Sequence, residues 1–145
     1  MSLNNDPSNY KFVVLLNKKL ASGVVLNATA HMVASLMAKA SVTAKENMNF
    51  LDYEDAGGNV HPVSGLSLII LRADNSNKIR KARQQAIESG ILYVDFVESM
   101  TGDTFVEQIE RTKSLPEAEL NYYGLCLFGI KDEIDNICSK FSLWR

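Results

Sequence analysis

Cysteine, proline, tryptophan and net charge are all scarce in this sequence. Among 145 residues there are two cysteines, three prolines and one tryptophan, and the formal net charge is only −2. Cys126 and Cys138 have no second Cys or His at metal-ligand spacing, so no metal site is expected. The two thiols are expected to be reduced and packed in the core. A disulfide is open to them only if the last strand and last helix face one another closely. This cysteine usage leads to the expectation of a cytoplasmic protein. With a pI of about 5.7 there is no global attraction to nucleic acid, and only a local basic patch could bind it. No run approaches the roughly 18 apolar residues of a membrane span. Residues 1–9 are polar and lack the apolar stretch of a secretory leader, and they read as a flexible tail ahead of a single domain over 10–145. A P-loop, a full GxGxxG, a GxSxG elbow and HExxH are all absent, so no cofactor is expected.

What is present is ordinary globular material, 46% hydrophobic and 22% charged, with enough length to bury a core. Residues 10–17 (YKFVVLLN) form a continuous apolar run of strand length, as suits a strand covered on both faces. After the turn at 18–23, residues 24–40 are mostly Ala, Val, Leu and Met without Gly or Pro. They predict a helix buried on more than one side, with Ser22 as N-cap. Short strand candidates at 49–53 and 60–63 flank Asp55-Ala56-Gly57-Gly58-Asn59, a strong turn signal, and predict a hairpin or an irregular excursion.

Residues 66–71 (LSLIIL) predict a second buried strand. A capping cluster at 74–77 then opens a helix that runs to Ser89 and stops at Gly90, with Ile79, Ala82, Ala86 and Ile87 as its core face. Strands follow at 91–97 and 121–129, with a helix at 104–113 ended by Pro116 and an amphipathic helix at 132–141. Strands alternating with helices predict an α/β domain with a mixed, mostly parallel sheet of about four main strands.

In such sheets ligands bind beyond the carboxyl ends of the strands. This rule selects Asn17, Lys18 and Lys19 after the first strand, Arg72 and Asp74 at the second, and Asp95 and Glu98 at the third. The first helix adds Asn27, His31 and Ser35, spaced by four and therefore on one face. A neutral imidazole is a competent general base, and Glu98 is the carboxylate that would orient it. Lys78, Arg80, Lys81 and Arg83 gather near the start of the next helix, against its dipole, as on a phosphate-binding face. His61 has no evident partner.

The segment KFVVLLNKKLASGVVLNATAHMVASLMAK (residues 11–39) resembles the strand, turn, Gly-Lys step and His-bearing helix of the type 2 peptidyl-tRNA hydrolases. IDNICSKFSL (134–143) is similar to their closing motif, and 66–100 matches in order and spacing. Within that superfamily the closer resemblance is to a branch without an established activity. The resemblance implies a three-layer α/β/α fold, with His31 on the family's helix His and Glu98 on its catalytic Asp. It also points to ligand contacts from Gly23 and Thr101, although the family's Gly-Arg-Thr-Gln loop is replaced here by Ser99-Met100-Thr101-Gly102. The departures are specific. Val24 stands where the family has its active-site Lys, Lys19 where an Asp is usual, and 103–120 has no counterpart.

Two functions are therefore expected on equal terms. One is a hydrolase of an ester or similar bond with a modified site, in which Lys18 or Lys19 stabilises an oxyanion, His31 acts as base and Glu98 orients it. The other is a non-catalytic domain that binds a small molecule or a protein. The expected partner is a small-molecule or acyl-ester ligand. RNA is disfavoured by the acidic pI, no membrane partner is expected, and a homodimer is left open.

Overall fold

A computed structural model describes residues 7–145, so the first six residues of the expected tail lie outside the described residues. Pro7–Asn9 form a single 3-10 turn. The elements that follow are β1 (Tyr10–Asn17), α1 (Ser22–Lys39), α2 (Val42–Glu46), β2 (Phe50–Glu54), β3 (Val60–Ser64), β4 (Leu68–Ala73) and α3 (Ser76–Ser89). The second half holds β5 (Leu92–Val97), α4 (Phe105–Lys113), β6 (Tyr122–Ile130), α5 (Lys131–Cys138) and β7 (Ser142–Leu143).

β1, β4, β5, β6 and β7 form one mixed sheet in the order β5-β6-β1-β4-β7. Only β1 and β4 pair in parallel. The β1–β6, β5–β6 and β4–β7 pairs are antiparallel. This corrects the expectation of a mostly parallel sheet: an apolar run reports burial on both faces and is silent on direction. β1, β4 and β5 still point the same way, so their carboxyl ends share one edge with the start of β6.

The apolar alternation along β1 splits the core in two. Phe12, Val14 and Leu16 pack with Val25, Ala28, Met32 and Leu36 of α1. Val13 and Leu15 pack on the other face with Ile79, Ala82 and Ala86 of α3 and Ile134 and Ile137 of α5. The layers are thus α1, sheet, and α3 with α5. Close approach of α1 depends on Gly124 of β6, where a Cβ would meet Met32 Cε at 2.7 Å and the Leu15 carbonyl at 3.1 Å. Cys126 lies in the α1 layer and Cys138 in the α3–α5 layer, so the sheet separates the two free thiols.

Several local details differ from the sequence reading. The N-cap of α1 is Ala21, without a side-chain bond, rather than Ser22. β4 runs two residues later than expected, because its pairing with β1 sets Leu68 opposite Phe12. Ile87 is exposed rather than core. α3 is capped as expected, Asn75 accepting from the Lys78 amide and Gly90 closing the helix at φ 69°. β2 and β3 form a separate two-stranded hairpin, in which Phe50, Tyr53 and Val60 are exposed. Among the described residues no helix is long and apolar enough to cross a membrane.

Candidate functional site

The shared edge of β1, β4 and β5 carries most of the residues expected to act, but it distributes them. Asn17 is buried and fully engaged: its amide donates to the Tyr122 carbonyl at 3.3 Å and its oxygen accepts from the Lys19 amide at 3.0 Å. It ties the end of β1 to the start of β6. Lys18 pairs with Asp74 at 2.9 Å. That hydrogen bond, with the lysine's charge, holds the Asp74 carboxyl below its ordinary value. Lys18 lines a concavity of about 230 Å³ together with Arg72, Lys78 and Lys140. Lys19 is exposed and lines none of the concavities described here.

Glu98 opens a 3-10 turn after β5 and accepts from the Asn121 side chain at 2.6 Å. It lines a concavity with Ser99, Thr101, Arg111 and Asn121, which meets the one around His31 at Thr101. Asp95 is no substitute. It sits mid-strand rather than at the strand's end, and its carboxylate takes Arg83 Nε at 2.7 Å. Lys18, His31 and Glu98 thus line three different concavities.

A second group does converge. Gly23, Val24, Asn27, Phe96, Thr101 and Tyr123 line a concavity of about 340 Å³ at the start of α1. Asn27, Phe96 and Thr101 are shared with a larger one of about 500 Å³, which adds His31, Ser35, Met100, Phe105 and Gln108. Met100, Phe105 and Gln108 are in turn shared with a third of about 410 Å³ that reaches Ile109 and Lys113. These three adjoin through shared residues and are called the trough, from the α1 N-terminus to the outer face of α4; the concavity that Glu98 lines adjoins it at Thr101 alone.

The floor is aromatic. His31 stacks on Phe96 with centroids 5.6 Å apart, and Phe96 contacts Tyr123 at 6.2 Å. Burial, then the Glu98 charge, raises the Tyr123 hydroxyl above its usual value. The Asn27-His31-Ser35 stripe lies along one wall, as its spacing requires.

The opposite wall is built from residues 98–113. Arg111 of α4 donates to the carbonyls of Ser99 (3.1 Å) and Thr101 (2.6 Å) and pairs with Asp103 (2.9 Å). Gln108 donates to the Gly102 carbonyl at 2.8 Å, and the Ser99 and Thr112 hydroxyls meet at 2.7 Å. These polar contacts seat one face of α4 on the loop. They leave its apolar stripe outward, with Phe105 79% and Ile109 64% exposed. Of the residues that line the trough, the sequence points to Gly23, Asn27, His31, Ser35 and Thr101, but not to Phe96, Phe105 or Gln108. The apolar ones read as core, and nothing in their spacing says that α4 turns its stripe to solvent.

The basic face of α3 is divided. Arg80 is bound to Glu117 and the Leu120 carbonyl, and Arg83 to Asp95. Of the residues that line the concavity at the end of β1, only Lys78 comes from this face. His61, without a partner in the sequence reading, meets Asp55 at 3.0 Å. Among the described residues no three His, Cys, Asp or Glu side chains group as metal ligands.

The profile of the DUF2000 family, described as a protein of unknown function, matches residues 10–145. The chain belongs to that family. A solved structure of a protein of unknown function from Agrobacterium tumefaciens superposes with a TM-score of 0.77 at 23% identity. The match covers 94% of this chain and 98% of that one. At that identity the likeness establishes the DUF2000 fold alone. No curated protein matches the sequence. Neither the family description nor the solved neighbour names a hydrolase.

Proposed function

We propose that this domain binds an amphiphilic small molecule, an acyl chain joined to a polar or planar head, in the trough between α1 and α4. The observation that carries this reading is the continuity of the trough. The concavity that holds His31 stacked on Phe96 shares Met100, Phe105 and Gln108 with the one that reaches the outward Ile109 of α4. Concave, largely apolar sites with a few convergent polar groups are where small ligands bind. Asn27, His31, Ser35 and Gln108 supply the polar groups at one end, and the apolar α4 face supplies area at the other.

Turnover is not part of the proposal. Glu98 and Lys18 face other concavities, and Val24 stands in the trough where the resemblance to type 2 peptidyl-tRNA hydrolases would put a lysine. Kinship with those hydrolases belongs to the same reading, as a fold kept while its chemistry was lost.

Octanoate and p-nitrophenyl octanoate are suitable probes. Octanoate is expected to shift backbone amide resonances in 23–35 and 96–112 and to leave the β2–β3 hairpin unmoved. Phe105→Ser, at an exposed position, is expected to weaken binding about tenfold, the equivalent of roughly 1.4 kcal/mol of lost apolar contact. The nitrophenyl ester is expected to hydrolyse no faster than background. Absence of shifts in the trough would remove the binding reading. Ester hydrolysis abolished by both His31→Ala and Glu98→Gln would restore the enzyme.

A further inference from the structure

We propose that the concavity at the carboxyl ends of β1 and β4 binds the phosphate of a small hydroxylated phosphomonoester, of the sugar-phosphate class. This site is separate from the trough and shares no lining residue with it. Four cations line its roughly 230 Å³, Lys18, Arg72, Lys78 and Lys140, against the single carboxylate of Asp74. The local balance is +3 (four minus one), in a chain whose net charge is −2. Lys18 is paired with Asp74. Arg72, Lys78 and Lys140 have no carboxylate within salt-bridge distance among the described residues.

The cations come from four separate segments, and backbone bonds fix three of them there. The Lys18 amide donates to the Ala73 carbonyl at 2.9 Å. The Lys78 amide is held by the N-cap Asn75. Lys140 is carried in by β7, whose Ser142 lies opposite Arg72 on β4, with the Trp144 amide bonded to the Ile70 carbonyl at 2.9 Å. Like charges gathered this way repel one another. Lys78 also sits in the first turn of α3, a turn without an acidic residue, where a cation opposes the helix dipole. A bound dianion relieves both conflicts at once. The forked guanidinium of Arg72 and the mobile ammonium groups suit tetrahedral phosphate oxygens.

The remaining lining residues point to what the phosphate is attached to. Asp74 would repel a bare anion, yet it is an acceptor for a ligand hydroxyl, and Ser142 adds a second hydroxyl partner. Phe141, half-buried beside them, offers an apolar face to a ring. The volume admits a phosphate with a compact sugar.

Calorimetry at fixed ionic strength with ribose 5-phosphate, inorganic phosphate and ribose tests the assignment on the full chain. Ribose 5-phosphate is expected to bind at least tenfold more tightly than inorganic phosphate, with no heat from ribose. Arg72→Gln combined with Lys78→Gln is expected to lose at least tenfold in affinity, and Asp74→Asn to narrow the gap between sugar phosphate and phosphate. Lys45→Gln, on α2, is expected to change nothing. All four positions are exposed, and an unchanged amide spectrum confirms that each variant folds. Equal affinity for ribose 5-phosphate and inorganic phosphate, or an unaltered affinity in the Arg72/Lys78 variant, would overturn the proposal. A single-stranded RNA oligomer that binds with steep salt dependence through these same residues, while ribose 5-phosphate does not bind, would replace it with a nucleic-acid surface. Phe105→Ser is expected to leave ribose 5-phosphate binding intact, so failure of the trough and failure of this site are told apart.

Discussion

Tyr122 begins β6 with its side chain fully buried, and its hydroxyl has no hydrogen-bond partner among the described residues. Arg80 and Arg83 lie over the ring, 5.2 and 5.8 Å from its centroid, rather than at the oxygen. Burial pushes the phenol up to about 12, so the group stays neutral and unpaired. An unsatisfied buried oxygen costs about 1–3 kcal/mol, whereas the ring contacts survive its removal. Tyr122→Phe is therefore expected to stabilise the domain by about 1 kcal/mol, or raise Tm by roughly 2–4 °C. Thermal unfolding of the two proteins checks this, and a clear loss of stability in the variant would show that the hydroxyl has a partner. The cysteines are inert for a related reason. Burial raises Cys126 to about 12 and Cys138 to about 11, far from the thiolate range.

Elements differ in how far the sequence exposes them. The hairpin at 50–64 was legible because Asp55-Ala56-Gly57-Gly58-Asn59 encodes its own turn. The Asp55 carboxylate accepts from the amides of Gly57 (2.9 Å) and Asn59 (3.0 Å) and from His61 (3.0 Å). The first strand and the capped α3 were legible by run length and capping chemistry. α4 was legible as a helix and misleading as a surface, since Arg111 and Gln108 seat the polar face that a hydrophobic stripe would normally displace. β7 was not legible, because two residues carry no period, and Lys140 enters the anion site only through it.

The hairpin also has a pH dependence that follows from its turn. The bond to His61, then those to Asn59, lower Asp55 from 3.8 to about 2. A depressed carboxyl contributes stability that is complete above its unfolded value and is lost as pH falls through the folded one. Fraying of residues 50–64 is thus expected as pH drops from about 4 to about 2, while the five-stranded sheet keeps its amide dispersion. Asp55→Asn is expected to abolish that local transition. Amide exchange read strand by strand measures both, and simultaneous loss of hairpin and main sheet would refute an independent hairpin.

For the whole molecule, the α/β class and the edge that bears the site were readable, because strand runs and the carboxyl-end rule depend on local sequence alone. The split of that edge into an aromatic trough and a basic concavity was not. It depends on β6 running antiparallel between β5 and β1, which brings Asn121 at its start against Glu98. Burial patterns look the same for either direction.

That insertion has a consequence for how the protein comes into being. β6 is the last long strand to be synthesised, yet among the described residues it alone joins β5 to the rest of the sheet. A fragment of residues 1–121 is expected to lack dispersed amide signals for 92–97, and well-resolved strand signals there would contradict this. At about 5–20 residues per second, a ribosome takes roughly 2–7 s to travel from the end of β5 to the end of β6. Until β6 has formed, the β1 edge that it covers is unpaired and β5 has no partner strand. The order of synthesis thus leaves the β1 edge open to non-native pairing until β6 closes the sheet.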